Sequence, residues 1–111
     1  DRPWLVDAAG SELDAVLHAS SIPVLVDLWA PWCGPCKAVA PALEQLAMDL
    51  TGSLRVVKVN VDTAPDVSAR LGVQGIPTMV LFRDGREIAR QVGALPGDAI
   101  RRWVDDELAR T

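Results

Sequence analysis

The sequence predicts an α/β domain, a central mixed five-stranded sheet flanked by four helices, with residues 1–111 forming one domain. Three observations lead there. Val24–Trp29 and Thr78–Phe82 are almost unbroken apolar runs, the pattern of strands buried on both faces. Segments with apolar residues at helical spacing separate most of the strand candidates, which implies parallel crossovers. Asp84-Gly85 is a two-residue hairpin signal near the end, so the last strand returns antiparallel and the sheet is mixed.

Each element follows from local chemistry. Trp4–Asp7 is a short first strand. Ser11 reads as a helix N-cap with Asp14 three residues on, and Leu13, Val16 and Leu17 carry the helix to about Ser20. After the Val24–Trp29 strand, Pro35 fits a first helical turn, and Val39, Leu43, Leu46 and Leu50 form the apolar stripe. Pro41 falls inside that helix and should kink it, and Gly52 closes it. Leu54–Val61 is β-branched and strand-like, and Pro65–Leu71 makes a short helix. Thr78–Phe82 and Glu87–Val92 form the hairpin. Ala99–Arg110 is the final helix, with Ile100, Trp103, Val104 and Leu108 inward and Arg101/Asp105 and Arg102/Asp106 as exposed i,i+4 pairs.

Composition narrows the function. A formal charge of −4 with scattered Lys and Arg argues against nucleic acid, which demands a basic patch. No apolar run reaches the ~18 residues that a membrane span needs, and no basic start leads into an apolar stretch, so neither a membrane partner nor a secretory signal is expected. His18, the single histidine, reads as a solvated helix residue.

Both cysteines lie in Cys33-Gly34-Pro35-Cys36. A bridge closing so short a loop constrains the unfolded chain very little, so chemistry explains it better than stapling. The pair sits where a buried strand ends and a helix begins. Free N–H groups and the partial positive charge of a first helical turn favour a thiolate, so the Cys33 pKa should be lowered and its sulfur nucleophilic near neutrality. Cys36, three residues on, faces the same side and can reach it. Half of a zinc site is the competing reading. Two Cys and one His fall short of four ligands, leaving carboxylates or a metal-bridged dimer to complete it, and no metal is expected.

Asp27 is a carboxylate inside an apolar strand, and burial there would raise its pKa. A wet edge strand is the alternative. Strand alternation puts Leu25, Asp27 and Trp29 on one face, and Val56, Lys58 and Asn60 share a face of the third strand, so Lys58 could partner Asp27 if the register permits.

The run Val26-Asp27-Leu28-Trp29-Ala30-Pro31-Trp32-Cys33-Gly34-Pro35-Cys36-Lys37, with Gly75-Ile76-Pro77-Thr78 and Val92-Gly93-Ala94, closely resembles the thioredoxin family along essentially the whole chain. Ala30-Pro31-Trp32 and Ser68-Ala69-Arg70-Leu71-Gly72-Val73 look most like the bacterial thioredoxin 2 branch, without the N-terminal zinc domain some of its members carry. The resemblance implies the thioredoxin fold and reduction of protein disulfides through Cys33 and Cys36, which form the redox-active disulfide. It implies recycling by an NADPH-dependent thioredoxin reductase, a monomer, a cytoplasmic location, and no cofactor bound to the chain itself. Asp27 would move a proton to and from Cys36, with Lys58 in support. Pro77 would be cis, and the Ile76 backbone would pair with an extended substrate. Trp32, Gly34, Pro35, Gly75, Ile76, Pro77, Gly93 and Ala94 would form the substrate platform, although Gly93 alone reads equally as a turn glycine. Gly-Pro between the cysteines favours a reductant; an oxidant or isomerase on the same fold, or a non-catalytic binding module, are the competing functions.

Overall fold

In the computed structural model, which describes residues 5–7 and 10–110, the elements run β1 (Leu5–Asp7), α1 (Gly10–Ala19), β2 (Val24–Trp29), α2 (Gly34–Asp49), β3 (Arg55–Asn60), α3 (Pro65–Arg70), β4 (Thr78–Arg83), β5 (Arg86–Val92) and α4 (Gly97–Arg110). The strands form one five-stranded sheet in the order β1-β3-β2-β4-β5. β1, β3 and β2 are parallel, and β4 and β5 join antiparallel, as the hairpin signal requires.

β2 lies at the centre because both of its faces are covered. Val24, Val26 and Leu28 join Val57, Val59, Val80 and Phe82 under Leu13 of α1 and Val67 of α3. Leu25 joins Val56, Met79 and Leu81 under Val39, Leu43 and Leu46 of α2 and Ile100 and Val104 of α4. Each fully buried Leu or Val stabilises the fold by about 1.5–3 kcal/mol, so the two faces together fix the register of β2. The described elements follow the α/β arrangement that the family resemblance implies.

Three local expectations need correction or bounding. α1 begins at Gly10, so Ser11 lies within its first turn rather than at the N-cap position. The Asp14 carboxylate is instead engaged by Arg70 of α3 at 3.1 Å, tying two helices on one sheet face. Arg102 bonds Asp98 rather than Asp106, since helical side chains lean toward the N-terminus and Asp98 sits in the first turn of α4. Trp4 lies outside the described residues.

The hairpin turn has φ of 54° at Asp84 and 76° at Gly85. Two successive left-handed residues match the right-handed twist of the flanking strands, and glycine takes that conformation without strain. Farther along β5 the register slips: Leu81 pairs with Ala89 but Phe82 with Glu87, leaving Ile88 as an extra residue. The bulge turns Glu87 and Arg90, opposite Phe82 and Val80, onto the same sheet face.

Candidate active site

Pro31 ends β2, and a turn closed by the Cys33 N–H on the Ala30 carbonyl at 3.1 Å leads directly into α2. Cys33 is the N-cap residue of α2, extended at φ −90° and ψ 105°, and Pro35 stands in the first turn, where a missing N–H costs nothing. Cys33 and Cys36 are joined by a disulfide with their Cα atoms 5.3 Å apart. The Cys36 N–H donates to Cys33 Sγ at 3.2 Å. A free donor of the helix mouth is thereby spent on one sulfur, and that sulfur belongs to Cys33. Cys33 and Cys36 are 5% and 3% exposed, so the asymmetry between them lies in this capping role rather than in exposure.

The sulfurs sit in a small apolar cluster with Ala30, against which Trp29, Val61 and Ile76 pack. The Ile76–Pro77 peptide is cis, as the sequence led us to expect. Pro77 is buried, and its carbonyl accepts the N–H of Gly93 at 2.8 Å, while Thr78 Oγ1 donates to the Gly75 carbonyl. Gly93 holds φ +91°, a conformation that favours glycine, so it serves the turn as well as the rim of the site. Gly34, Pro35 and Ala94 are exposed.

Beside the disulfide runs a groove of about 180 Å³ lined by Trp32, Val61, Ser68, Val73, Gln74, Gly75 and Ile76. Trp32 is 69% exposed, the most exposed of the large apolar side chains among the described residues. Its indole N–H reaches both oxygens of Asp62, at 3.0 and 3.3 Å, and the Asp62 N–H is held by Asn60 Oδ1 at 2.9 Å. Sequence reasoning missed Asp62, Val61 and Val73 as neighbours of the site. Only the position of Asp62 just beyond a strand that parallels β2 hinted at it.

Asp27 lies on the α2 face of β2 and is 2% exposed, which removes the wet-edge alternative. The parallel register pairs Asp27 with Lys58, as alternation suggested. Burial raises the Asp27 carboxyl to about 6, and the Lys58 charge pulls it partly back. Oδ1 has no hydrogen-bond partner among the described residues. Lys58 Nζ stands 4.5 Å over the ring of Trp29, a cation–π contact that brings its charge toward the cluster holding the cysteines. Neutralising Lys58 as Lys58→Gln should therefore raise the Asp27 pKa above about 6, read from the pH titration of its carboxyl carbon by NMR. An unmoved titration would show that Lys58 does not act on Asp27.

Two cysteines that can close or open a bond at a helix mouth, ringed by apolar surface, exchange electrons with other sulfurs. The class so defined is that of the thiol–disulfide oxidoreductases. The thioredoxin family model matches residues 5–106. Thioredoxin 1 of Chlorobaculum tepidum is 51% identical over 92 residues, covering 83% of this chain and 91% of that protein. The thioredoxin of Haemophilus influenzae is 42% identical over 98 residues, covering 88% and 92%, and that of Pseudomonas aeruginosa 49% over 83 residues, covering 75% and 77%. The chain belongs to the thioredoxin family. No described helix is long and apolar enough to cross a membrane.

Proposed function

We propose that this chain reduces disulfides in other proteins and is itself re-reduced by an NADPH-dependent thioredoxin reductase. The observation that carries the reading is the Cys36 N–H donated to Cys33 Sγ at the first turn of α2. In the dithiol form the same donor and the helix dipole favour a thiolate on Cys33. That thiolate attacks one sulfur of the target; a mixed disulfide forms and the other target sulfur leaves as a thiolate. Asp27 accepts the proton of Cys36, whose thiolate attacks Cys33 and expels the second target sulfur. Two electrons have passed to the target, and the Cys33–Cys36 disulfide is the product. A carboxyl near 6 is suited to taking up and releasing a proton around neutrality, with Lys58 tuning it.

Trp32, Gly34, Pro35, Gly75, Ile76, Pro77, Gly93 and Ala94 form the docking platform, and the Ile76 backbone pairs with an extended target segment. One domain spans residues 1–111 and works as a monomer in the cytoplasm, a reducing compartment in which such a dithiol is kept charged. Within the family, the likeness to the thioredoxin 2 branch rests on Ala30-Pro31-Trp32 and Ser68–Val73. The test is coupled turnover with NADPH, a purified bacterial thioredoxin reductase and insulin. Absorbance at the NADPH band should fall at a rate proportional to this protein's concentration. A protein oxidised by glutathione disulfide but never reduced in this system would instead be an oxidant.

A further inference from the structure

The groove beside Cys33 has two walls. Trp32 forms one, held by Asp62. The other is Val73–Ile76, the segment that leaves α3 and enters the Ile76–Pro77 peptide. Turn bonds tie the start of that segment to α3: the N–H groups of Gly72 and Val73 donate to the Ala69 and Ser68 carbonyls at 3.1 and 3.0 Å. Val67, Leu71 and Val73 pack the end of α3 on the sheet, and Arg90 adds the polar tie. Its Nη2 donates to the carbonyl of Leu71, the C-cap residue of α3, at 2.8 Å across the gap from β5. Nε and Nη2 of the same guanidinium each donate to one oxygen of Glu87 at 2.7 Å, so the fork is aimed by a bidentate carboxylate.

The geometry is made by the bulge at Ile88. In a regular strand, residues three apart point to opposite faces, and Glu87 could not reach Arg90 on the α3 side. The extra residue brings both onto the face that carries Val80 and Phe82, the face α3 packs on. The Arg90 and Glu87 side chains are 30% and 35% exposed, so the pair is only partly wetted, unlike the Arg102–Asp98 pair at 68% and 75%. A β-bulge, a bidentate ion pair and a helix C-cap thus converge on one point four residues before Gly75.

We infer that Arg90, aimed by Glu87, is a positioning residue that, through Leu71, fixes the Val73–Ile76 wall of the groove and so sets how well a protein disulfide docks beside Cys33. The inference rests on the proposed docking of protein targets at this groove. It touches no reacting atom, so the chemical step is left alone: small disulfides, which need no groove, should not sense it.

The experiment compares wild type with Arg90→Gln, Arg90→Lys and Glu87→Gln, and uses Arg102→Ala as a control ion-pair deletion remote from the groove. Two readouts are taken: insulin reduction under dithiothreitol, and amide hydrogen exchange at Gly72 and Val73. In Arg90→Gln we expect KM for insulin to rise about fivefold with kcat unchanged, the size of one ordinary net hydrogen bond, since solvent at this partly exposed site offsets the extra strength of the charge. Exchange at the two amides should quicken about fivefold while the amides of β2 stay as they are. Glu87→Gln should show the same pattern more weakly. Arg90→Lys should restore part of both effects, because an ammonium can reach Leu71 but lacks the fork. Arg102→Ala should change neither, and the rate with 5,5′-dithiobis(2-nitrobenzoate) should be the same throughout. Unchanged exchange at Gly72 and Val73 in Arg90→Gln overturns the clamp. Quickened exchange with an unchanged KM in an otherwise active protein overturns its role in docking. A wild type that does not reduce insulin at all removes the docking role together with the proposed function, and the exchange data then still decide the clamp.

Discussion

Cys36→Ser should accumulate covalent complexes with target proteins, while Cys33→Ser should form none, and both should lose insulin turnover down to the background of dithiothreitol alone. The two sulfurs are equally shielded, at 5% and 3% exposure, so exposure does not choose the attacker. Position does. Cys33 is the capping residue, with extended backbone and a helix N–H at 3.2 Å on its sulfur, while Cys36 lies inside the first turn and supplies that N–H. An anion on Cys33 is stabilised by the helix mouth, whereas the Cys36 thiol, in the proposed mechanism, gives its proton to Asp27. With Ser at position 36 the mixed disulfide forms and cannot be resolved; with Ser at position 33 there is no first attack. Non-reducing gels of each variant mixed with a disulfide-bearing lysate read the outcome directly. Complexes on Cys33→Ser and none on Cys36→Ser would reverse the assignment.

The second large effect concerns Asp27. Its folded pKa of about 6 lies above the 3.8 of an unperturbed aspartate. Between those values the native state keeps a proton that the unfolded chain has lost, so the stability associated with this group is full below about 3.8 and falls as pH rises to about 6. Above that the penalty is constant, on the order of 3 kcal/mol. Asp27→Asn escapes it. The advantage of the mutant over wild type should therefore be about 2 kcal/mol larger at pH 7.5 than at pH 4, whatever the amide itself costs in the site. Disulfide exchange should slow at least about tenfold at pH 7 with the proton acceptor gone, and recover in part above pH ~9 as the Cys36 thiol ionises unaided. Urea melts at the two pH values, with turnover alongside, measure both. A stability difference that does not change with pH would mean that Asp27 ionises as freely in the folded protein as in the unfolded one.

These expectations show where sequence is transparent. Val24–Trp29 and Thr78–Phe82 announced themselves because helices cover both sheet faces and every position must be apolar. Asp27 was conspicuous for the same reason, as the one charge in such a run. Alternation puts Lys58 on the matching face of its strand but leaves the register open, and the parallel register joins the two directly. The helix mouth at Cys33 was written in Pro35, placed just after a buried strand ends. Side chains whose partners depend on loop paths were opaque. Asp62 reaches Trp32 only because the chain turns at Asn60, and Arg90 reaches Leu71 only because β5 carries an extra residue at Ile88. Neither a turn path nor a bulge leaves a periodic trace. Ser11 misled because its spacing to Asp14 imitates a capping box, whereas Asp14 is taken by Arg70, a residue 56 positions away.

Cys33 and Cys36 should act as one working dithiol that passes electrons to protein disulfides. Insulin reduction by dithiothreitol, followed by turbidity with and without catalytic amounts of this protein, tests it most directly. The wild type should shorten the lag in proportion to its concentration, and alkylating its two thiols beforehand should abolish the effect. A lag no shorter than with dithiothreitol alone, for a folded protein carrying two free thiols by titration, would contradict it.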